Sequence, residues 1–117
     1  MALLKKVSFV LVFLVCVAFK PFHHGWANYN QDKSIDYKGT IQELVYENPH
    51  ATAKVKQNKK LWTVILAPIS RMEARGVTAD MLKKGATIQV VGYQHKTDKN
   101  EMRAERIFVD GNKYELR

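Results

Sequence analysis

A mainly β domain, built as a small barrel of five to six strands with one short helix between the third and fourth, is the fold this sequence predicts. Three observations carry that expectation. Apolar and polar residues alternate with a period of two through 35–41 and again through 51–56, as half-buried strands require. A nearly continuous β-branched and aromatic run, 61–67, follows them. Helix signals are confined to 70–85 and are closed twice by glycine, at Gly76 and Gly85.

The first residues stand apart from this pattern. Lys5 and Lys6 precede residues 7–19 (VSFVLVFLVCVAF), an apolar run of 13 without a charge, and Lys20-Pro21 ends it. A positive start, an apolar run of this length and small residues beyond it form a secretory signal peptide. As a helix the run rises only about 20 Å against a hydrocarbon layer of roughly 30 Å, too short for an anchor. The expectation is a signal helix over 1–18, then an extended arm over 19–34, then a barrel domain over 35–117. Cys16-Val17-Ala18 and Gly25-Trp26-Ala27 both place small residues where cleavage needs them, so the cut is expected between 18 and 27. Cys16 follows Val15, not the small residue of a lipoprotein signal, and it is the only cysteine. The exported chain is therefore expected to fold without a disulfide, although a periplasmic or secreted location permits one. The membrane is met only through the signal segment before cleavage.

The full chain of 117 residues carries a net charge of +8, and loss of Lys5 and Lys6 with the leader lowers it by two. A basic surface favours anionic partners in general. Lys54, Lys56, Lys59 and Lys60 form the one basic cluster, but they straddle an expected hairpin tip, where lysines keep a turn soluble.

In order along the barrel domain, Ile35, Tyr37, Gly39 and Ile41 alternate with Asp36, Lys38 and Thr40, and the strand runs on to Tyr46. Gly39 within so long a strand predicts a bend or bulge that lets it serve two sides of a barrel. Glu47-Asn48-Pro49 reads as a turn, because Pro49 cannot donate to a ladder and biases Asn48 towards extended backbone. His50 opens the second strand, with Ala51, Ala53 and Val55 on one face. A polar turn at 57–60 leads to the third strand, 61–67, which Pro68 ends. Ser70-Arg71-Met72-Glu73 matches a capping box at a helix start, and Gly76 sits where a C-terminal cap belongs. A second helical turn over 78–85 precedes the fourth strand, 87–93, and a polar loop, 94–100. The fifth strand covers 102–109. Asp110-Gly111 marks a hairpin into a last short strand at 113–116.

Three strands, a short helix, then two or three strands is the order of an OB-like barrel, whose helix lies between strands three and four. An SH3-like barrel has no need of helical sequence at 70–84.

The residues also resemble a family of small exported bacterial proteins known as domain-of-unknown-function family 6152. His23-His24 after the signal, Thr40-Ile41-Gln42-Glu43 on strand one and Asn48-Pro49-His50 at its end carry the likeness, with residues 71–76 in the helix and Gly85 before strand four. It spans the chain from about His23 onward, and the order of these motifs is more specific than any one of them. Members typically show the His pair directly after the cleavage site, whereas Lys20-Pro21-Phe22 precedes it here. The resemblance implies an OB-like fold and an exported location, and implies no activity.

Three groups of residues carry the functional expectations. Loops after strands one and four flank one binding face of an OB barrel, which brings Tyr46 and His50 together with Tyr93 and His95 as a candidate ligand site. The four histidines, His23, His24, His50 and His95, are also candidate ligands for copper or zinc, since imidazole suits both; no close His spacing or further cysteine supports them. Scattered surface histidines are the ordinary alternative, and His50 is equally consistent with capping backbone groups in its turn. The second group, Arg71, Arg75, Arg103 and Arg106 with Glu73, Glu101 and Glu105, is close to charge balance and predicts an exposed salt-bridge lattice between the helix and strand five more than a clamp for phosphate or carboxylate. The third is aromatic: Trp26, Tyr29, Tyr37, Tyr46, Trp62, Tyr93 and Tyr114. Trp62 belongs to the most apolar strand and is expected in the core, while Tyr46 and Tyr93 stand at the loop mouths.

No nucleophile elbow, P-loop, dinucleotide fingerprint or zinc-protease motif occurs, so no catalysis and no obligatory cofactor are expected. The sequence thus predicts a monomeric, exported, non-enzymatic binding or accessory domain whose partner is an unidentified ligand or envelope protein. An exported protein is not expected to meet nucleic acid. The alternative is a periplasmic metal-binding protein.

Overall fold

The structure is a computed structural model that describes residues 25–117. The expected leader and the candidates His23 and His24 lie outside the described residues. Six strands are present: β1 (Tyr29–Val45), β2 (Thr52–Gln57), β3 (Lys60–Ile65), β4 (Thr87–His95), β5 (Glu101–Val109) and β6 (Asn112–Glu115). Between β3 and β4 lie helix α1 (Ile69–Ala74) and a 3-10 turn (Asp80–Leu82). The hydrogen-bonded order is β3-β2-β1-β4-β5-β6, and a short parallel pairing of β3 with β5 closes the first five into a ring. That connectivity is the OB-like barrel expected from the element order.

One strand makes the ring possible. Thr40 of β1 is paired on one side with Lys56 of β2 and on the other with Thr87 of β4, so β1 changes sheets at that point. Gly39 beside it is where the barrel turns the corner: a Cβ there would lie 2.6 Å from Val55 Cγ1 and 2.8 Å from the Lys56 carbonyl oxygen. A bulge between Ile41 and Glu43 completes the bend.

The alternation of β1, β2 and β3 sends Tyr37, Ile41, Val55, Trp62 and Val64 inward, where they meet Ile88, Val90, Met102 and Ile107. Burial of each such aliphatic side chain stabilises the fold by about 1.5–3 kcal/mol. Trp62 is in this core, as expected, and stacks on Tyr37 with ring centroids 5.6 Å apart. Helix α1 contributes Met72, its one buried residue.

Several local readings are corrected. β1 begins at Tyr29, so the last six residues of the expected arm are strand. β4 runs on to His95, which is paired with Tyr29 and so is not a loop residue. Ser70 makes no capping hydrogen bond: the N-cap is Pro68, two residues earlier, and Ser70 is already inside the first turn. The Pro68 carbonyl instead accepts from the Arg71 and Met72 amides, both at 3.0 Å. The glycine end is as expected, with Gly76 N–H donating to Glu73 and Val77 N–H to Met72, the paired bonds of a Schellman cap. Asp110 and Gly111 have φ of 50° and 80°, the left-handed pair of a type I′ hairpin.

Candidate functional site

Because side chains alternate along a strand, burial of Met102 and Ala104 turns Glu101, Arg103 and Glu105 to the outside of β5. Next to them on β4, Tyr93 and His95 face the same way. The two strands can pack so closely because residue 92 is glycine: a Cβ there would sit 2.0 Å from the Arg103 carbonyl oxygen.

Across this outer face runs the segment that enters β1. Its Trp26 indole packs against two guanidiniums, those of Arg103 and Arg117, each 4.4 Å from a ring of the indole. The ring of Tyr93 meets Trp26 edge-on at 6.1 Å. Gly25 presents its carbonyl to Arg103 Nη1, which donates to it at 2.7 Å.

The acids on this face are already engaged. Tyr29 donates its hydroxyl to Glu101 at 2.6 Å. Tyr93 donates to Glu105 at 3.0 Å, and Arg106 and Arg117 lie 3.4 and 3.5 Å from the same carboxylate. Arg106 also pairs with Glu115 at 2.9 Å. A salt-bridge lattice therefore forms along β5 and β6, not between the helix and β5 as expected: of the seven residues named from the sequence only Arg106 and Glu105 pair in it, with Glu115 and Arg117 as their other partners. Arg103 stands outside it: among the described residues no carboxylate lies within 4.0 Å of its guanidinium. The side chain is 8 % exposed, and its Nε is buried without a hydrogen-bond partner. A buried charge without a counter-ion costs several kcal/mol, which the Gly25 carbonyl and the indole offset only in part.

The remaining polar neighbour of Arg103 is His50. Its Nε2 lies 3.5 Å from Arg103 Nη2. A guanidinium has only donors, so the imidazole accepts there and is neutral. Burial, then Arg103, then Arg71 push the His50 pKa below the usual histidine value. Arg71, on α1, donates to the Leu116 carbonyl at 3.3 Å. It does not join the lattice either.

The four ligand candidates divide. His50 and Tyr93 come together around Arg103: Tyr93 is paired with it in register, and His50 reaches it from the β1–β2 loop. His95 lies further along the same face, its ring edge-on to Tyr29 at 5.2 Å. Its Nδ1 accepts from the amides of Thr97 and Asp98 at 3.2 and 3.0 Å, which leaves the proton on Nε2, 4.0 Å from Glu101. His95 thus shapes the β4–β5 loop, the capping role read for His50 from the sequence. Tyr46 is elsewhere, donating to the Val77 carbonyl at 2.7 Å beyond the end of α1. No set of three or more His, Cys, Asp or Glu residues among the described residues is arranged to hold a metal. His50 faces a guanidinium where a second metal ligand would have to stand.

Sequence reasoning ranked Trp26 behind Tyr46 and Tyr93, and missed Arg117 and the isolation of Arg103. The alternation Met102, Arg103, Ala104 marks Arg103 as outward-facing; what it does not mark is the segment folded over it.

The opposite face of the barrel, on β1, β2 and β3, offers a hollow of about 110 Å³ lined by Glu43, Val45, Thr52, Lys54 and Thr63. No aromatic ring lines this hollow, and Lys54 spans part of it to donate to Thr63 at 2.7 Å.

Comparisons with known proteins agree with this architecture. Solved structures similar to the chain include the ZRD-deleted mutant of TiaS in complex with agmatine, at 19% identity and a TM-score of 0.54, covering 74% of this chain and 27% of that one. The S. pombe Stn1–Ten1 complex matches at 15% identity and a TM-score of 0.54, covering 68% of this chain and 59% of that chain. Yeast Stn1 and Ten1 match at 16% identity and a TM-score of 0.51, covering 68% and 43%. This chain thus spans only part of each of these proteins, and at such identities the likeness is one of fold. No curated protein matches the sequence. The model of a family of unknown function, DUF6152, matches residues 11–103, and the chain belongs to that family, with an OB-like β domain.

Proposed function

We propose that this protein is an exported, non-enzymatic binding or accessory domain that holds a ligand or envelope partner on the outer face of β4 and β5. The observation that carries the reading is the gathering of His50, Tyr93 and Trp26 around Arg103, a buried guanidinium with no carboxylate within reach among the described residues. The aromatic groups give contact area and the guanidinium gives a charge to be met. Absence of aromatic side chains from the hollow on the opposite face speaks against stacking of nucleotides there.

The same contacts bear on processing. Cleavage after Ala27 would strip away Gly25 and Trp26 and leave Arg103 without its carbonyl and its indole. Cleavage after Ala18 keeps both, and keeps His23 and His24. Retention of these contacts favours an exported form that starts at Phe19.

Native and intact mass spectrometry of the exported protein tests both parts. A mass starting at Phe19, and a bound species that Arg103→Gln removes, support the reading. A mass starting at Asn28 overturns the processing; no retained species, or one unchanged by Arg103→Gln, overturns the binding face. Titration with Cu(II) and Zn(II) decides the metal alternative, which requires binding that disappears when His50 and His95 are both changed to alanine.

A further inference from the structure

We propose that Arg103, His50 and Arg71 form an oxyanion site, taking a carboxylate or phosphate group at the end of the barrel where the β1–β2 loop, β5 and α1 meet. The inference rests on the binding face argued above and names its ligand chemistry.

Three structural facts point to an anion. Arg103 is nine-tenths buried, and its guanidinium has one hydrogen-bonded carbonyl, one imidazole and one buried nitrogen with no partner. The acids that flank it on β5, Glu101 and Glu105, are held by Tyr29, Tyr93, Arg106 and Arg117 and do not turn to it. A second guanidinium, Arg71, comes from α1, where it donates to the Leu116 carbonyl at 3.3 Å, and its charge adds to burial in disfavouring protonation of His50 and Arg103. Two cations and a neutral imidazole gathered without a counter-ion repel a metal ion and attract an oxyanion. The planar fork of arginine matches the two oxygens of a carboxylate or phosphate.

The imidazole gives the site a proton-linked character. With no anion present, His50 accepts at Nε2 and stays neutral between Arg103 of β5 and Arg71 of α1, the charged groups that face it. A bound oxyanion reverses the local field, so His50 takes up a proton and becomes a donor to it. Binding then tightens as pH falls through the histidine range.

The test is calorimetric titration of the exported chain with inorganic phosphate and, separately, with succinate, at pH 6 and pH 8. The two arms tell a phosphate ligand from a carboxylate one. Expected are saturable binding of at least one anion, tighter at pH 6, and a weakening of about tenfold in Arg71→Gln, as loss of a charged hydrogen bond implies. His50→Gln is expected to fold, to bind more weakly and to lose the pH dependence. These two variants carry the test if Arg103→Gln does not fold, with circular dichroism as the check. Absence of saturable binding by both anions, or binding unchanged in Arg71→Gln and His50→Gln, overturns the site. If the anions fail while native mass spectrometry still retains an Arg103-dependent species, the oxyanion assignment falls and the binding face stands; if both fail, both fall.

Discussion

The indole of Trp26 lies 4.4 Å from the guanidinium of Arg103. The contact ties the segment entering β1 to the strand that closes the barrel. Because cation–π contacts of this kind contribute about 1–2 kcal/mol when partly desolvated, Trp26→Ala is expected to lower unfolding stability by that amount in urea titration. The same substitution should expose Arg103 to solvent. Trp62 remains in the core as an internal fluorescence reference.

His50 makes stability depend on pH. Its pKa in the fold lies below the unfolded value, because burial and then the charges of Arg103 and Arg71 oppose protonation. The unfolded chain therefore binds the proton more readily. The contribution is fully present above about pH 6.5 and is lost as pH falls below it. In anion-free buffer, the urea midpoint should drop between pH 7.5 and pH 5.5, and His50→Gln should flatten that drop.

Gly92 is the position where a single methyl group does most harm. A Cβ would lie 2.0 Å from the Arg103 carbonyl oxygen and 2.9 Å from Ala104 Cα, both backbone atoms of β5 that no rotamer can move. Gly92→Ala should cost about 3 kcal/mol, the upper end of overpacking effects, read as a lowered thermal midpoint. It should also disturb the Arg103 environment.

Tyr46 fastens the end of β1 to the segment after α1 through its 2.7 Å bond to the Val77 carbonyl. Tyr46→Phe should remove about 1 kcal/mol, the usual net worth of such a bond. Tyr114→Phe, whose hydroxyl has no hydrogen-bond partner among the described residues, is the control and should leave the midpoint unchanged.

The barrel was largely legible because its signals are local. Alternation at Ile35, Tyr37 and Ile41, the Asp110-Gly111 turn and the Gly76 cap each follow from a few neighbouring residues. The start of β1 was not legible, since residues 30–34 are all exposed and carry no alternation, and the stretch is held to distant β4 only at its two ends, Tyr29 and Ser34. The site was half legible. Alternation places Tyr93 and Arg103 on one surface, but charge counting could not show that tyrosine hydroxyls would hold Glu101 and Glu105, so that one arginine is left over. Tyr46 was misplaced because standing beside a loop does not decide which way a ring turns.

The ring is closed by only three residue pairs, Thr63 with Glu101, Val64 with Met102 and Ile65 with Arg103. These partners are far apart in the chain, so their meeting waits on everything between them and forms the last stitch of the hoop. Amide protons on that stitch are expected to exchange with deuterium through a partial opening that leaves the β2–β3 hairpin intact, ahead of those buried at Val90 and Ile107. Arg103 sits at one end of the stitch, so whatever grips its side chain also locks the hoop, and slower exchange at Thr63 and Ile65 is the signature of an occupied protein.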